Sequence, residues 1–441
     1  MPDELPPAAP DSETPPLQDE EDDDVLFAQP QAPPWRRWVI FGLIAAVLLA
    51  IAAVGVMLYV ATKALQRQLK QQPNYGFAPA TAKGQGPFDE VTRLKTQWYV
   101  QAIGGGDVDG DKAAEAIVWA GEQVTLYDQT GHEESAFPSH LSAINAPPMI
   151  GSWMPLPPGG GVRRPLVATI KGKPAIVLTD GESESVFAYR ADGERILNNK
   201  VQYSHARCLA VADLNGDGED EILVGRSSAV GLVCVDGSGK TKWKHGAATD
   251  PSWICVGDGN GDSKPEVFVG YDTSVPQILD ADGKHVGDWA QWRLIENAQC
   301  ADLDGDGKVE FLLSVSQTPG GRGSGGSSGS GGASSLGFGR ELDGVGPDGM
   351  LVWDVPLNFG QPWVSTTHLA SGDLNGDGKG EWVASAPDGT VRLYDVAGNE
   401  IGRYAFGSEV QTLGVVGGGK RGERPQLWVS LGKELVVLKW R

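Results

Sequence analysis

The sequence predicts an all-β fold, a seven-bladed β-propeller of four-stranded blades, preceded by a single transmembrane helix and a disordered acidic tail. Three observations predict it. The 61 glycines and 14 tryptophans among 441 residues suit many tight turns between short strands. One acidic frame recurs five times. Equivalent strands are spaced 44 to 46 residues apart, the length of a four-stranded propeller blade.

Residues 1–37 are the acidic, Pro-rich tail. The first 34 residues hold ten carboxylates, including the run Asp19 to Asp24, and no basic side chain. A segment so poor in large apolar residues cannot bury enough surface to offset the cost of ordering. The whole chain carries a net charge of −21 and no Lys/Arg-rich block, which argues against a nucleic-acid partner.

Residues 38–61 run from Trp38 to Ala61, 24 residues without a charge, enough to span a hydrocarbon core of roughly 30 Å as a helix. A globular helix of that length would show a polar face, and a cleaved signal would be shorter and end at a small-residue site. Arg36 and Arg37 before the segment nearly balance Lys63, Arg67 and Lys70 after it, and the positive-inside count slightly favours the following side as cytoplasmic, so another argument must decide the orientation. Residues 62–87 read as a short helical extension, TKALQRQLKQQ, followed by a linker punctuated with Pro and Gly.

Residues 88–441 hold the repeats. The frames are DVDGDKAAE from Asp107, DLNGDGEDE from Asp213, DGNGDSKPE from Asp258, DLDGDGKVE from Asp302 and DLNGDGKGE from Asp373. Each lies between two short apolar stretches, giving strand, acidic loop, strand. A third strand of alternating pattern follows (VTLYD, LVCVD, VRLYD), then a turn with Gly at a fixed offset, as in VDGSGKTKW and YDVAGNEIG. Two more copies, at Ala175 (AIVLTDG) and Leu427 (LWVSLG), lack the acidic loop. Seven units result, interrupted by insertions from Asn145 to Arg164 and over 317–348, the latter Gly/Ser-rich and expected to be disordered. No unit has a core of its own, so neighbours must stack. The last copy stops at its third strand, ELVVLKW. EVTRLKTQ, ahead of the first inner strand, is expected to supply the missing outer strand and close the ring.

Within each frame, oxygen-bearing side chains fall at positions 1, 3, 5 and 9. These are Asp107, Asp109, Asp111 and Glu115; Asp213, Asn215, Asp217 and Glu221; Asp258, Asn260, Asp262 and Glu266; Asp302, Asp304, Asp306 and Glu310; and Asp373, Asn375, Asp377 and Glu381. The carbonyl at position 7, that of Glu219 in the second loop, can complete the shell. Hard oxygen donors from one short loop suit Ca²⁺, and the absence of His and Cys ligands excludes a zinc-type set. Gly at position 4 and usually at 6 lets the backbone wrap the ion, with Lys112 and Ser263 the exceptions at position 6. Up to five Ca²⁺ ions are expected.

The stretches DLNGDGEDEIL, DLDGDGKVEFL and DLNGDGKGEWV resemble the FG-GAP/VCBS repeat family over residues 88–441. The resemblance implies a calcium-binding propeller like that of integrin α-subunit heads, with the acidic loop joining first and second strands. Position 9 is Glu rather than the commoner Asp, and the aromatic cage sequence that names the integrin repeats is not evident, so integrin-type ligand binding is not implied.

Extracellular loop sites bind Ca²⁺ at roughly 10⁻⁴ to 10⁻³ M and would be empty in cytosol. The propeller is therefore expected outside the cytoplasm, in a periplasm or at a cell surface, with the tail cytoplasmic. The six His residues are scattered, and no nucleophile elbow, phosphate loop or HExxH is present, so no enzyme is expected. A ligand face is expected opposite the acidic loops, where inner strands begin: Trp98, Tyr99, His205, Arg207, Trp253, Trp292, Arg293, Glu296, Trp363 and His368. Cys208, Cys255 and Cys300 on inner strands and Cys234 on a third strand are expected to be buried thiols. The expected function is a membrane-anchored binding or cell-adhesion module for an extracytoplasmic protein or glycan. The alternatives are a membrane-anchored polysaccharide hydrolase or lyase, and a scaffold subunit of an envelope complex.

Overall fold

The computed structural model describes residues 86–141, 164–179, 184–201, 204–227, 230–246, 250–271, 275–289, 295–317, 339–357, 368–417 and 424–441. The described residues all fall within one unit, Asn74–Arg441. The expected tail and transmembrane helix lie outside the described residues, and among the described residues no helix is long and apolar enough to cross a membrane.

Strand β1 (Phe88–Lys95) is set aside for the last blade. Blade 1 holds β2 (Val100–Gly106), β3 (Glu115–Ala120), β4 (Gln123–Tyr127) and β5 (Glu133–Pro138). Blade 2 holds β6 (Leu166–Ile170), β7 (Lys173–Leu178), β8 (Ser185–Tyr189) and β9 (Arg195–Lys200). Blade 3 holds β10 (Ala206–Ala212), β11 (Glu221–Arg226), β12 (Gly231–Val235) and β13 (Thr241–His245). Blade 4 holds β14 (Pro251–Gly257), β15 (Glu266–Tyr271), β16 (Gln277–Leu279) and β17 (His285–Asp288). Blade 5 holds β18 (Ile295–Ala301), β19 (Glu310–Gln317), β20 (Gly339–Val345) and β21 (Leu351–Leu357). Blade 6 holds β22 (Leu369–Gly372), β23 (Glu381–Ser385), β24 (Thr390–Tyr394) and β25 (Glu400–Ala405). Blade 7 takes β26 (Thr412–Val416), β27 (Gln426–Ser430) and β28 (Glu434–Trp440), with β1 outermost.

Each sheet is antiparallel, and β1 pairs with β28 from Phe88↔Trp440 to Lys95↔Glu434, closing the ring as strand counting predicted. One expectation needs correction. The expected 317–348 insertion is narrower, because Gly339–Val345 forms β20 and pairs with β19 and β21.

The core is divided among the blade interfaces. Seven apolar clusters each join two neighbouring blades, and one joins Ile103 and Val118 of blade 1 to Trp428 and Val437 of blade 7. Second strands such as β3, β11 and β15 are buried along their whole length because both faces meet a neighbour. Three tryptophans and three turn glycines form one recurring contact between blades. Trp243, Trp289 and Trp353 on or just after outermost strands lie over Gly283, Gly349 and Gly398 in the turn of the next blade, where a Cβ would come within 2.5–2.6 Å of the indole. Their indole N–H groups donate to the carbonyls of Ala281, Pro347 and Val396 in the same turns (2.9, 3.2 and 2.9 Å). Those glycines have φ of 75–83°, so one residue supplies both the turn and the seat for the ring.

All seven blades also carry a one-residue bulge on the outermost strand, which slips the register at the same place. The extra residues are Glu134, Ile196, Lys242, Val286, Val352, Ile401 and, in blade 7, Val91.

Candidate metal centres

Every blade starts at the axis and turns outward in the same up-and-down order, so the five acidic loops emerge on one face. Neighbouring blades are tied there by backbone bonds. Val309 N–H donates to Asp258 O (2.9 Å), Gly380 N–H to Leu303 O (2.8 Å) and Asp220 N–H to Thr169 O (2.9 Å).

Inside each loop one hydrogen-bond network repeats. The first Asp accepts from the N–H of position 4 through one oxygen (2.6–2.7 Å) and of position 6 through the other (2.6–3.0 Å). Position 3 accepts from the N–H of position 5, and position 5 from that of position 7. The Glu at position 9 opens the second strand and accepts from the N–H of position 2: Val108, Leu214, Gly259, Leu303 and Leu374 (2.7–2.9 Å). Position 6 is left-handed in all five loops. Lys112 and Ser263, at φ 74° and 66°, adopt the same turn as Gly218, Gly307 and Gly378, at a cost of roughly 1 kcal/mol each. Glu219 spends its carboxylate on the N–H groups of Lys171 and Gly172 in blade 2, leaving its carbonyl for the loop.

In three of the five loops the carboxylates also converge on a common point. Among the described residues, ligand oxygens of Asp107, Asp109 and Glu115, of Asp302, Asp304 and Asp306, and of Asp373, Asp377 and Glu381 lie within 4.8 Å of one another. Oxygens sharing one Ca²⁺ at about 2.3–2.6 Å are separated by up to about 5 Å, so the donor set fits that ion in type and spacing. Burial pushes the Glu115 and Glu381 carboxyls up to about 7, with neighbouring aspartates adding to the effect, and raises Glu266 and Glu310 as well. Asp213 is held below its usual range by the N–H groups of Gly218, Gly216 and Asp217.

Register shows what the fold itself needs at position 9. In blade 7, Val416↔Gln426 occupies the place of Gly106↔Glu115 in blade 1, and in blade 2 the same step leads to Ala175. The blades without an acidic loop thus carry Gln and Ala where the other five carry Glu. The buried carboxylate travels with the loop and is not a requirement of the β-sheet.

The expected ligand face is less coherent. Trp253 is a correction: it is 2% exposed, rests on Gly270 and packs against Trp289 with ring centroids 5.4 Å apart, so it presents no surface. Trp98 lies over Gly121, and Lys433 Nζ stands 5.1 Å from the centre of the Tyr99 ring. Arg207 pairs with Asp250 at 3.5 Å. His205 and His368 start at different steps of their blades, eight residues before Asp213 and five before Asp373, yet each donates its backbone N–H to a serine hydroxyl, Ser227 or Ser385 (2.9 Å). Glu296 is half-buried on β18. Trp292, Arg293 and Trp363 lie outside the described residues.

Two contributors escaped the sequence reading. Arg164, just before β6 of blade 2, donates to Gln299 Oε1 (3.2 Å) in blade 5 and to the Leu369 carbonyl in blade 6. Those blades lie across the ring, so this guanidinium reaches over the axis, and burial lowers its pKa to about 10. Lys242 reaches Glu221 Oε1 at 2.6 Å from the bulge of β13. The four cysteines are free thiols, with Cys208, Cys234 and Cys255 buried and Cys300 half-buried.

Residues 179–291, about a quarter of the chain, match a family model described as the lambda-carrageenase β-propeller domain. A comparison with curated protein sequences finds no match. Among solved structures, the chain is similar to BBS1N in complex with ARL6DN, soaked with mercury, at TM-score 0.56 and 10% identity, covering 82% of this chain and 98% of that one. The lead-soaked form of that complex gives TM-score 0.54 and 11% identity over 80% and 97%. BamB from Moraxella catarrhalis gives 0.45 and 12% over 80% and 98%. At these identities the likeness is one of fold.

Proposed function

We propose that this chain is a calcium-stabilised β-propeller of FG-GAP/VCBS type, held at a membrane by the segment 38–61 and serving outside the cytoplasm as a non-catalytic binding module for a protein partner. The observation that carries the reading is the coincidence of loop and carboxylate. Five blades have both, and the two blades without the loop replace the buried Glu by Ala175 or Gln426. Buried carboxylates with raised pKa are costly unless something neutralises them, and a divalent cation within the loop does so. When bound, Ca²⁺ would supply that neutralisation and fix the loops as a rim. Asp107, Asp109 and Glu115, Asp302, Asp304 and Asp306, and Asp373, Asp377 and Glu381 would hold it.

A protein partner suits a propeller whose axis is bridged by Arg164, since recognition then falls to the broad faces. The similar BBS1N propeller was itself crystallised with a protein, ARL6DN. The match of residues 179–291 to a lambda-carrageenase propeller domain favours a second reading, action on or binding to a polysaccharide. Incubation of the purified chain with lambda-carrageenan and a glycan array, followed by product analysis, separates the two. Cleavage would refute the non-catalytic reading, and glycan binding without cleavage would replace the protein partner by a glycan. Cysteine labelling of the tail in intact cells tests topology, and a tail accessible from outside would overturn it.

A further inference from the structure

The five acidic loops differ in what the bulge of their own blade offers them. In blade 3 that residue is Lys242, whose ammonium lies 2.6 Å from Glu221 Oε1 and close enough to Asp217 to feel its charge. Glu221 is 3% exposed, its Oε2 accepts from Leu214 N–H (2.9 Å), and its Oε1 also accepts from Asn215 Nδ2 (3.0 Å). Glu266 and Glu381 accept the same two hydrogen bonds, so what sets Glu221 apart is a cation of the chain itself on its Oε1. Blade 1 has the opposite charge at the same bulge, Glu134, whose carboxylate interacts with Asp109 and Asp111. Blades 4, 5 and 6 have Val286, Val352 and Ile401, which are 55%, 67% and 37% exposed and carry no charge.

We propose that Lys242 is the built-in cation of the Asp213 loop, so that this loop keeps its shape without metal while the other four depend on one. The inference rests on the calcium reading of the loops. An ammonium on the ninth-position carboxylate both satisfies that carboxylate and repels a divalent ion, weakening its binding by about 100-fold or more. The chain therefore binds four Ca²⁺ ions in the millimolar range rather than five, and the loop of blade 1, with Glu134 added, binds most tightly.

Counting bound Ca²⁺ on the full-length chain by native mass spectrometry tests this, together with thermal unfolding in EGTA. Lys242→Met should add one ion to the wild-type count and lower the midpoint in EGTA, with calcium restoring it. Val352→Lys, at an exposed bulge that tolerates a long side chain, should remove one ion and raise the midpoint in EGTA. An unchanged count in both variants, with the wild type binding calcium, overturns the role of Lys242 and leaves the calcium reading standing. A wild type that binds no calcium overturns both.

Discussion

Replacing Glu381 by Gln separates a metal ligand from a structural cap. The Glu381 carboxylate is 2% exposed, accepts from Leu374 N–H (2.7 Å) and Asn375 Nδ2 (2.6 Å), and has its pKa pushed up to about 7 by burial beside Asp373 and Asp377. Gln keeps one acceptor for Leu374 and removes the charge. In EGTA near pH 7.5 the wild-type carboxylate is ionised and unneutralised, so the variant should be as stable as wild type or more so, by up to about 2 kcal/mol. In 10 mM Ca²⁺ it should lose a site of Kd about 10⁻⁴ to 10⁻³ M, worth about 1.4–2.7 kcal/mol. A propeller of roughly 350 residues unfolds with an entropy of about 0.7 kcal/mol/K, so the midpoint in calcium should fall by about 2–4 °C. Differential scanning calorimetry in the two buffers reads both numbers. If Glu381→Gln shifts the midpoint equally with and without calcium, Glu381 is a structural cap and the metal argument fails at this loop.

Two further perturbations follow from the same geometry. Glu115 and Glu381 titrate at about 7 in the folded protein, against about 4.5 for an ordinary carboxyl. The metal-free folded state therefore binds more protons between those values, and its stability should be full below about pH 4.5 and lost as pH rises through 7. Ligation requires the ionised carboxylates, so calcium should reverse the trend; a midpoint in EGTA that fell from pH 7.5 to 5.5 would refute the burial argument. Deleting residues 88–95 removes β1, bares the edge of β28 and empties the site of Phe88, which is 1% exposed. The loss should be at least about 4 kcal/mol, lowering the midpoint by about 5 °C or more, and an unchanged midpoint would contradict the ring closure.

Much of this architecture could be read from the chain because the repeat is written in it. Five frames in register locate β2–β3 and their counterparts, and a last unit short of one strand forces β1 into blade 7. The acidic loops were equally legible, since their oxygen-bearing side chains lie within nine residues. Contacts between blades were not. The Trp243–Ala281 bond spans 38 positions, and only the stacking of neighbours shows that Trp243, Trp289 and Trp353 and the turn glycines of the next blades are two halves of one contact. Trp253 was misjudged for the same reason: its position at the start of an inner strand suggested a surface, but Gly270 opens a seat for it. Lys242 stands 21 positions after Glu221, beyond a bulge whose phase no alternating pattern reveals. Strand β20 hid behind a polar, Gly-containing sequence, GRELDGV, in which Leu342 and Val345 are the buried apolar residues among those described.

Thermal unfolding of the full-length chain in 10 mM Ca²⁺ and in EGTA tests the central claim most directly. Four sites of Kd about 10⁻³ M contribute about 1.4 kcal/mol each at that concentration, so the midpoint should stand about 8 °C higher in calcium. A midpoint that is the same in both buffers would contradict it.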